Sequence, residues 1–152
     1  ETPHLAMKKI FETRSVFVSS GENSDASLRE QQFWKAADVN LNYLREPYYH
    51  IVKDDQINSL SVAHRLRAYT IIDKASWVVS HMPGHLKIIC KDHDFLKNPY
   101  ALVTLNQKKF ADLKHDQVKL FIDWIRSNEA QTIIKGFRQD GVKSYSPLSD
   151  IF

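Results

Sequence analysis

Apolar positions along the chain come in short runs whose period alternates between two and about 3.6 residues, the mark of strands alternating with helices. Leu5 to Glu12 is spaced for a short helix, and Ser15-Val16-Phe17-Val18 for a short strand rich in β-branched and aromatic residues. A small polar turn, Ser19-Ser20-Gly21-Glu22-Asn23-Ser24, follows. Ser24 is a suitable N-cap for a helix from about Asp25 to Ala37, and Asp25 suits its first turn. Ala26, Phe33 and Ala37 share the stripe predicted to be buried, with Trp34 on its border. Tyr48 to Val52 reads as a second strand, and Asp54 or Asp55 as the cap of a helix over 56–65 that buries Ile57, Leu60 and Val62/Ala63. Tyr69 to Ile72 is a third strand, and Lys74 to Ser80 a short helix stopped by Pro83-Gly84. Leu86 to Cys90 and Tyr100 to Leu105 complete the predicted strands. Two amphipathic helices end the chain. Val118, Phe121, Ile122 and Ile125 form one stripe, Ala130, Ile133, Ile134 and Phe137 the next, with Ser127-Asn128 as the stop and new cap.

This alternation predicts an α/β fold with a mainly parallel sheet flanked by helices. Ligands of such sheets sit beyond the C-terminal strand ends. The most site-like junction is therefore Ser19 to Ser24. It offers hydroxyl and amide side chains, a glycine for close backbone approach, and N–H groups at a helix start, a combination suited to an anion or a polar oxygen ligand. The plainer reading is a cap at Ser24 and an ordinary turn before it. Lys53 to Ser59, containing Asn58 and Ser59, would lie on the same rim if the two strands are neighbours, and capping is again the plainer reading. At the third junction Asp73 is a cap more than a contact.

Composition changes this picture little. The 152 residues can bury one sizeable core, and 43% hydrophobic with 26% charged residues is ordinary for a globular chain. A net charge of +3 with scattered basic residues points to solvated surface and no nucleic-acid groove. The single cysteine, Cys90, excludes an intrachain disulfide and a multi-cysteine zinc site. No apolar stretch approaches the roughly 20 residues needed to span a bilayer. The chain starts Glu1-Thr2-Pro3, without methionine or a signal-like segment, which suggests a processing point or the first ordered residue.

His81, His85, Asp92, His93 and Asp94 crowd together in sequence. A strand over 86–90 would still separate His85 from His93 by about 25 Å at ~3.3 Å per residue, so one shared metal site is not expected. His64, on the inner part of a helix, reads as a satisfied, partly buried residue. There is no Gly-x-Ser-x-Gly elbow, P-loop, dinucleotide glycine pattern or His-Glu-x-x-His, and no catalytic residue is assigned.

Several motifs in register resemble one family. Phe17-Val18-Ser19-Ser20-Gly21-Glu22-Asn23-Ser24 and Phe33-Trp34-Lys35 resemble the second-lobe loop and helix of the tungstate-binding, TupA-like periplasmic proteins of ABC transporters. Ala68 to Asp73 is similar to the family's Ala-Tyr-Thr-Leu-Thr-Asp strand, and Asn98-Pro99-Tyr100 to its return strand. Phe121 to Ile125, Glu129-Ala130-Gln131 and Ile133-Ile134 resemble its C-terminal helices. The similarity runs from about Met7 to Ser146.

The resemblance implies half of a type II periplasmic-binding-protein-like clamp. Residues 1–12 would be a helix and crossing segment from a first lobe, 13–98 the second, ligand-binding lobe, and 99–152 the return strand and C-terminal helices of the first. The first lobe itself would lie before Glu1. Hinges are expected near Thr13 to Ser15 and Asn98 to Tyr100. The implied function is extracytoplasmic capture of a small ligand, an oxyanion such as tungstate or molybdate, for a membrane permease. A ligand-sensing effector domain of a regulator, or a binder of a metal or small organic molecule, are the alternatives. Ser19, Ser20, Gly21, Asn23 and Ser24 would bind the ligand, with Asn58 and Ser59 from the second rim loop. No resident cofactor is implied, only the bound oxyanion or metal as ligand, and the expected state is a monomer without nucleic acid. One departure matters. The family loop reads Ser-Arg-Gly-Asp-x-Ser-Gly-Thr, and its arginine, expected to pair with the oxyanion, is Ser20 here. The positions of the following glycine and threonine hold Asp25 and Ala26.

Overall fold

The structure is a computed structural model that describes residues 2–21, 25–53, 55–81, 84–91 and 94–147. In chain order the elements are α1 (Pro3–Glu12), β1 (Phe17–Ser19), α2 (Asp25–Ala36), β2 (Tyr49–Ile51), α3 (Gln56–Leu66), β3 (Tyr69–Thr70), α4 (Lys74–Val79), α5 (His115–Ile125) and α6 (Asn128–Gly136). Short 3-10 turns cover Leu41–Tyr43 and Asp94–Leu96. The chain divides into two units, Glu1–Lys97 and Asn98–Phe152.

The first unit is built around β1. It lies between β2 and β3 and pairs in parallel with both, Phe17 opposite Tyr49 and Tyr69, and Val18 opposite His50 and Thr70. Side chains alternate along a strand, so β1 faces two ways. Phe17 joins a core with Met7 and Ile10 of α1 and Phe33, Trp34, Ala37 and Val39 from α2 and just beyond. Val18 points to the other side, against Ala63 of α3 and Ala68. Helices therefore cover both faces of the parallel sheet, as the alternating pattern predicts.

Local chemistry sets the helix ends. Pro3 stands in the first turn of α1, where a missing N–H costs nothing. The Asp55 side chain caps α3 by accepting from the Asn58 N–H at 2.7 Å, and Asp73 caps α4 by accepting from the Ser76 N–H at 2.7 Å. Arg67 closes α3 in the left-handed conformation, its N–H donating back to His64.

Several sequence expectations need correction. Trp34 is not on the border of its stripe; it is 1% exposed, and its ring meets Phe17 edge-on at 5.2 Å. Ile57 is 37% exposed, because Ser59, Leu60 and Ala63 form the buried side of α3. Leu86 to Cys90 and Tyr100 to Leu105 are not strands among the described residues. An apolar run becomes a strand only beside an edge with which it can exchange hydrogen bonds, and no described pairing reaches either run, leaving Val103 89% exposed.

The second unit carries the two C-terminal helices. Ser127 caps α6 by accepting from the Ala130 N–H, as the pattern predicts, and the Gln131 side chain donates to the Ile125 carbonyl. Ala130 is buried, yet Phe121 (51% exposed) and Ile133 (58%) leave much of both apolar stripes open.

Candidate functional site

Parallel pairing brings the C-terminal ends of β1, β2 and β3 to one edge, and the loops leaving them form a rim. The first two loops touch. Gly21 has φ +81°, and a Cβ built there would stand 2.9 Å from the Val52 carbonyl oxygen and 3.5 Å from Lys53 Cα. Only a residue without a side chain fits that approach in that conformation. The Val52 N–H also donates to the Ser19 carbonyl at 3.0 Å. The third loop is tied in by the Asp73 N–H, which donates to the Gln56 side chain at 2.9 Å.

The candidate ligand residues divide on this rim. Ser20 and Gly21 lie in the first loop, both buried, and Asn58 is half-buried in the first turn of α3. Ser59 is buried, its hydroxyl donating to the Asp55 carbonyl at 3.2 Å. Asn23, Ser24, Glu22 and Asp54 lie outside the described residues, so the expected Ser24 cap does too.

Ser19 faces inward, to a polar cluster that the sequence pattern does not single out. Glu30 of α2 is 2% exposed. Its Oε1 accepts from Trp34 Nε1–H at 3.0 Å and from the Tyr49 hydroxyl at 2.5 Å, and the Ser19 side chain is a third polar group acting on the same carboxyl. Tyr49 stacks on Phe17 at 6.0 Å and nearly parallel. Burial pushes the Glu30 carboxyl above its ordinary value, while its three donors hold it down. Tyr49 is raised by burial and by the charge of Glu30. The signal for Glu30 was present in the sequence: it stands four residues after Ala26 and four before Trp34, on the apolar side of the helix.

A raised folded-state value has a definite sign. The folded protein holds the Glu30 proton more tightly than the unfolded chain does. Its contribution is thus fully present below the ordinary value of 4.5 and is lost as pH rises through the folded value. Glu30→Gln, which cannot ionise, should gain in melting temperature relative to the parent as pH rises from 4.5 toward neutral. Thermal melts of both proteins across that range check this; a constant difference would contradict it.

Two further features lie away from the rim. A cavity of about 610 Å³ opens by the N-terminal ends of β1 and β2, lined by Phe11, Arg14, Phe17, Tyr43, Arg45 and Tyr48 among others. Among the described residues, none of the candidate ligand residues lines it. His64 stacks on His85 with ring centres 5.7 Å apart and planes within 12°. Its Nδ1 is buried without a hydrogen-bond partner among the described residues, contrary to the expectation of a satisfied histidine. No group of three or more His, Cys, Asp or Glu side chains converges as a metal site among the described residues, where Asp92 and His93 are not included.

The fold recurs in known proteins. No protein-family model matches the chain. It is 26% identical over 144 residues to the tungstate-binding protein TupA of Peptoclostridium acidaminophilum, covering 93% of this chain and 49% of that protein. The solved structure of the tungstate-binding protein TupA from Desulfovibrio alaskensis superposes with a TM-score of 0.82 at 25% identity, over 96% of this chain and 60% of that one. The chain is a relative of the TupA proteins. A Haloferax volcanii protein named as an ABC transporter anion-binding protein is 25% identical over 147 residues, 93% of this chain and 42% of that protein. A functionally unknown Vibrio parahaemolyticus protein matches with a TM-score of 0.63 at 25% identity, over 91% of this chain and 58% of that one. The chain spans about half the length of the curated relatives it matches. The named relatives are binding proteins, and the α/β fold with its parallel three-stranded sheet is the one that aligns with TupA. No described helix is long and apolar enough to cross a membrane.

Proposed function

We propose that this chain is the ligand-binding half of a two-lobed solute-binding protein that captures a small oxyanion, tungstate or molybdate, for a membrane transporter. Backbone N–H groups around Ser20, Gly21 and Lys53 would hold the oxygens, with Asn58 at the rim and Asn23 and Ser24 from the rest of the loop. The observation that carries this reading is the close approach of Gly21 to Val52 and Lys53 at adjoining strand ends, on a chain that aligns with TupA over nearly its whole length. A backbone-built anion site tolerates serine at the family's arginine position better than a side-chain site would, because N–H dipoles supply the donors.

In this reading the role is binding and delivery outside the cytoplasm by a monomer, with no chemistry performed on the ligand and no resident cofactor. Residues 1–12 lead in and end in α1 against the ligand-binding lobe of 13–98. Residues 99–152 belong with the other lobe. The open stripes of α5 and α6 and the exposed Tyr100 to Leu105 run support that division, since apolar stripes and unpaired strand-like runs call for a covering layer.

Calorimetric titration of the complete gene product with tungstate, molybdate, sulfate and divalent metals tests the assignment. Saturable one-to-one binding of an oxyanion is expected, with tungstate or molybdate above sulfate. Binding of a metal alone, or of no oxyanion, would overturn it.

A further inference from the structure

We propose that Glu30 is the positioning residue of the ligand loop: its buried carboxyl group fixes the rim from behind by tying the start of β2 to α2 beside Ser19, the last residue of β1. The proposal rests on the oxyanion reading for what the loop does, and on the geometry around Glu30 for how the loop is held.

One oxygen, Oε1, receives both the Trp34 N–H, from the same helix, and the Tyr49 O–H, from β2. Ser19, the last residue of β1, is the third polar side chain acting on the same group. Ser20 and Gly21 follow Ser19 directly, and Val52 and Lys53 follow β2 within a few residues of Tyr49. These are the two backbones that meet at the rim. Groups from α2, β2 and β1 therefore converge on one acceptor group, which adjoins the rim at Ser19 and reaches back through Tyr49 and Trp34 toward the start of the strands. Among the described residues no cation acts on Glu30; Tyr49, Ser19 and Trp34 are its partners. A buried carboxyl group in that setting is held by its hydrogen bonds, and removing it strands every donor at once.

The chemistry of the bonds separates position from charge. A glutamine at this site keeps an oxygen for Trp34 and Tyr49 and presents an amide N–H to Ser19, so it preserves the tie without the charge. An alanine removes the tie and leaves a void. The rim amides should respond to the second change and not to the first.

The test is amide hydrogen exchange by NMR on the complete gene product, comparing the parent with Glu30→Ala and Glu30→Gln under conditions where all are folded by circular dichroism. Ser20, Gly21 and Lys53 report the rim, and Ala63 and Ala68, on the opposite side of β1, report the fold. Glu30→Ala should speed exchange at the rim amides by about tenfold or more over any change at Ala63 and Ala68. Glu30→Gln should stay near the parent. Tungstate affinity should fall in the same order. If Glu30→Ala does not fold, Tyr49→Phe, which removes only the β2 arm, should loosen Lys53 more than Ala63. Uniform acceleration at all positions, or a glutamine variant as loose as alanine, would overturn the proposal. A parent that binds no oxyanion while showing the expected exchange pattern would sink the function reading and leave the positioning role standing.

Discussion

Trp34→Ala is expected to cost the protein about 3–5 kcal/mol of stability, the range for truncating a fully buried large aromatic residue. Three losses coincide at this position. The ring leaves the core it shares with Phe17, Phe33, Met7 and Ile10. The edge-on contact with Phe17, which pins β1 to α2, disappears. Glu30 loses the N–H that Trp34 donates to it. Because Phe17 belongs to the central strand, the damage reaches both sheet neighbours. Chemical denaturation read by far-UV circular dichroism checks the figure. Trp34→Phe should recover part of the packing and none of the hydrogen bond, falling between alanine and the parent. A loss below about 1 kcal/mol for alanine, the level of an ordinary surface change, would show that the core has been misplaced.

Gly21→Ala is expected to have the largest effect on binding. The backbone at Gly21 sits in the left-handed region, which itself disfavours a side chain. The added methyl would also press on the Val52 carbonyl oxygen, a backbone atom that cannot rotate away. Relief requires the first two rim loops to separate. The stability loss should be modest, about 1–2 kcal/mol, while oxyanion affinity should fall by about tenfold or more, equivalent to roughly 1.4 kcal/mol of lost contact. The contrast between the two variants is informative. Trp34→Ala should weaken the fold, and binding only through it. Gly21→Ala should weaken binding in a protein that remains folded, measured by calorimetry beside thermal melts. Affinity equal to the parent would place the ligand elsewhere.

Much of this was legible in the order of residues. Ala26, Phe33 and Ala37 recur at helical spacing, and the structure buries all three. Asp55, Asp73 and Ser127 stand directly before apolar-periodic runs, and each caps its helix. These signals are local, so reading them needs no knowledge of what packs where. The misreadings concern partners that are distant in the chain. Trp34 looks peripheral on a helical wheel because its neighbour at i−4 is Glu30; only Tyr49 and Ser19, supplied by two strands, turn that carboxylate inward. Ile88, Ile89, Leu102 and Val103 have the composition of strands, but pairing is a property of an edge and not of a run.

The candidate site was legible to a similar degree. Glycine among small polar residues at a strand end marked the first loop, and the structure gives Gly21 the conformation and close approach that require glycine. Two of the side chains nominated beside it have work elsewhere. Ser19 turns to Glu30, and Ser59 bonds back to its own helix. Hydroxyl groups carry no directional signature in sequence, because the same serine suits a ligand, a cap or a core bond. Lys53 was legible as the start of the second rim loop, but the close approach of Val52 and Lys53 to Gly21 was not, since it is made by backbone atoms alone.

The central claim is that an oxyanion sits where the loops after β1 and β2 meet. Tungsten scatters anomalously, so a crystal of the complete gene product grown with tungstate tests this directly. The account expects one strong anomalous peak within hydrogen-bonding distance of the backbone N–H groups of Ser20, Gly21 or Lys53. A peak elsewhere, including the cavity lined by Arg14 and Arg45, or no peak at concentrations well above any measured Kd, would contradict it.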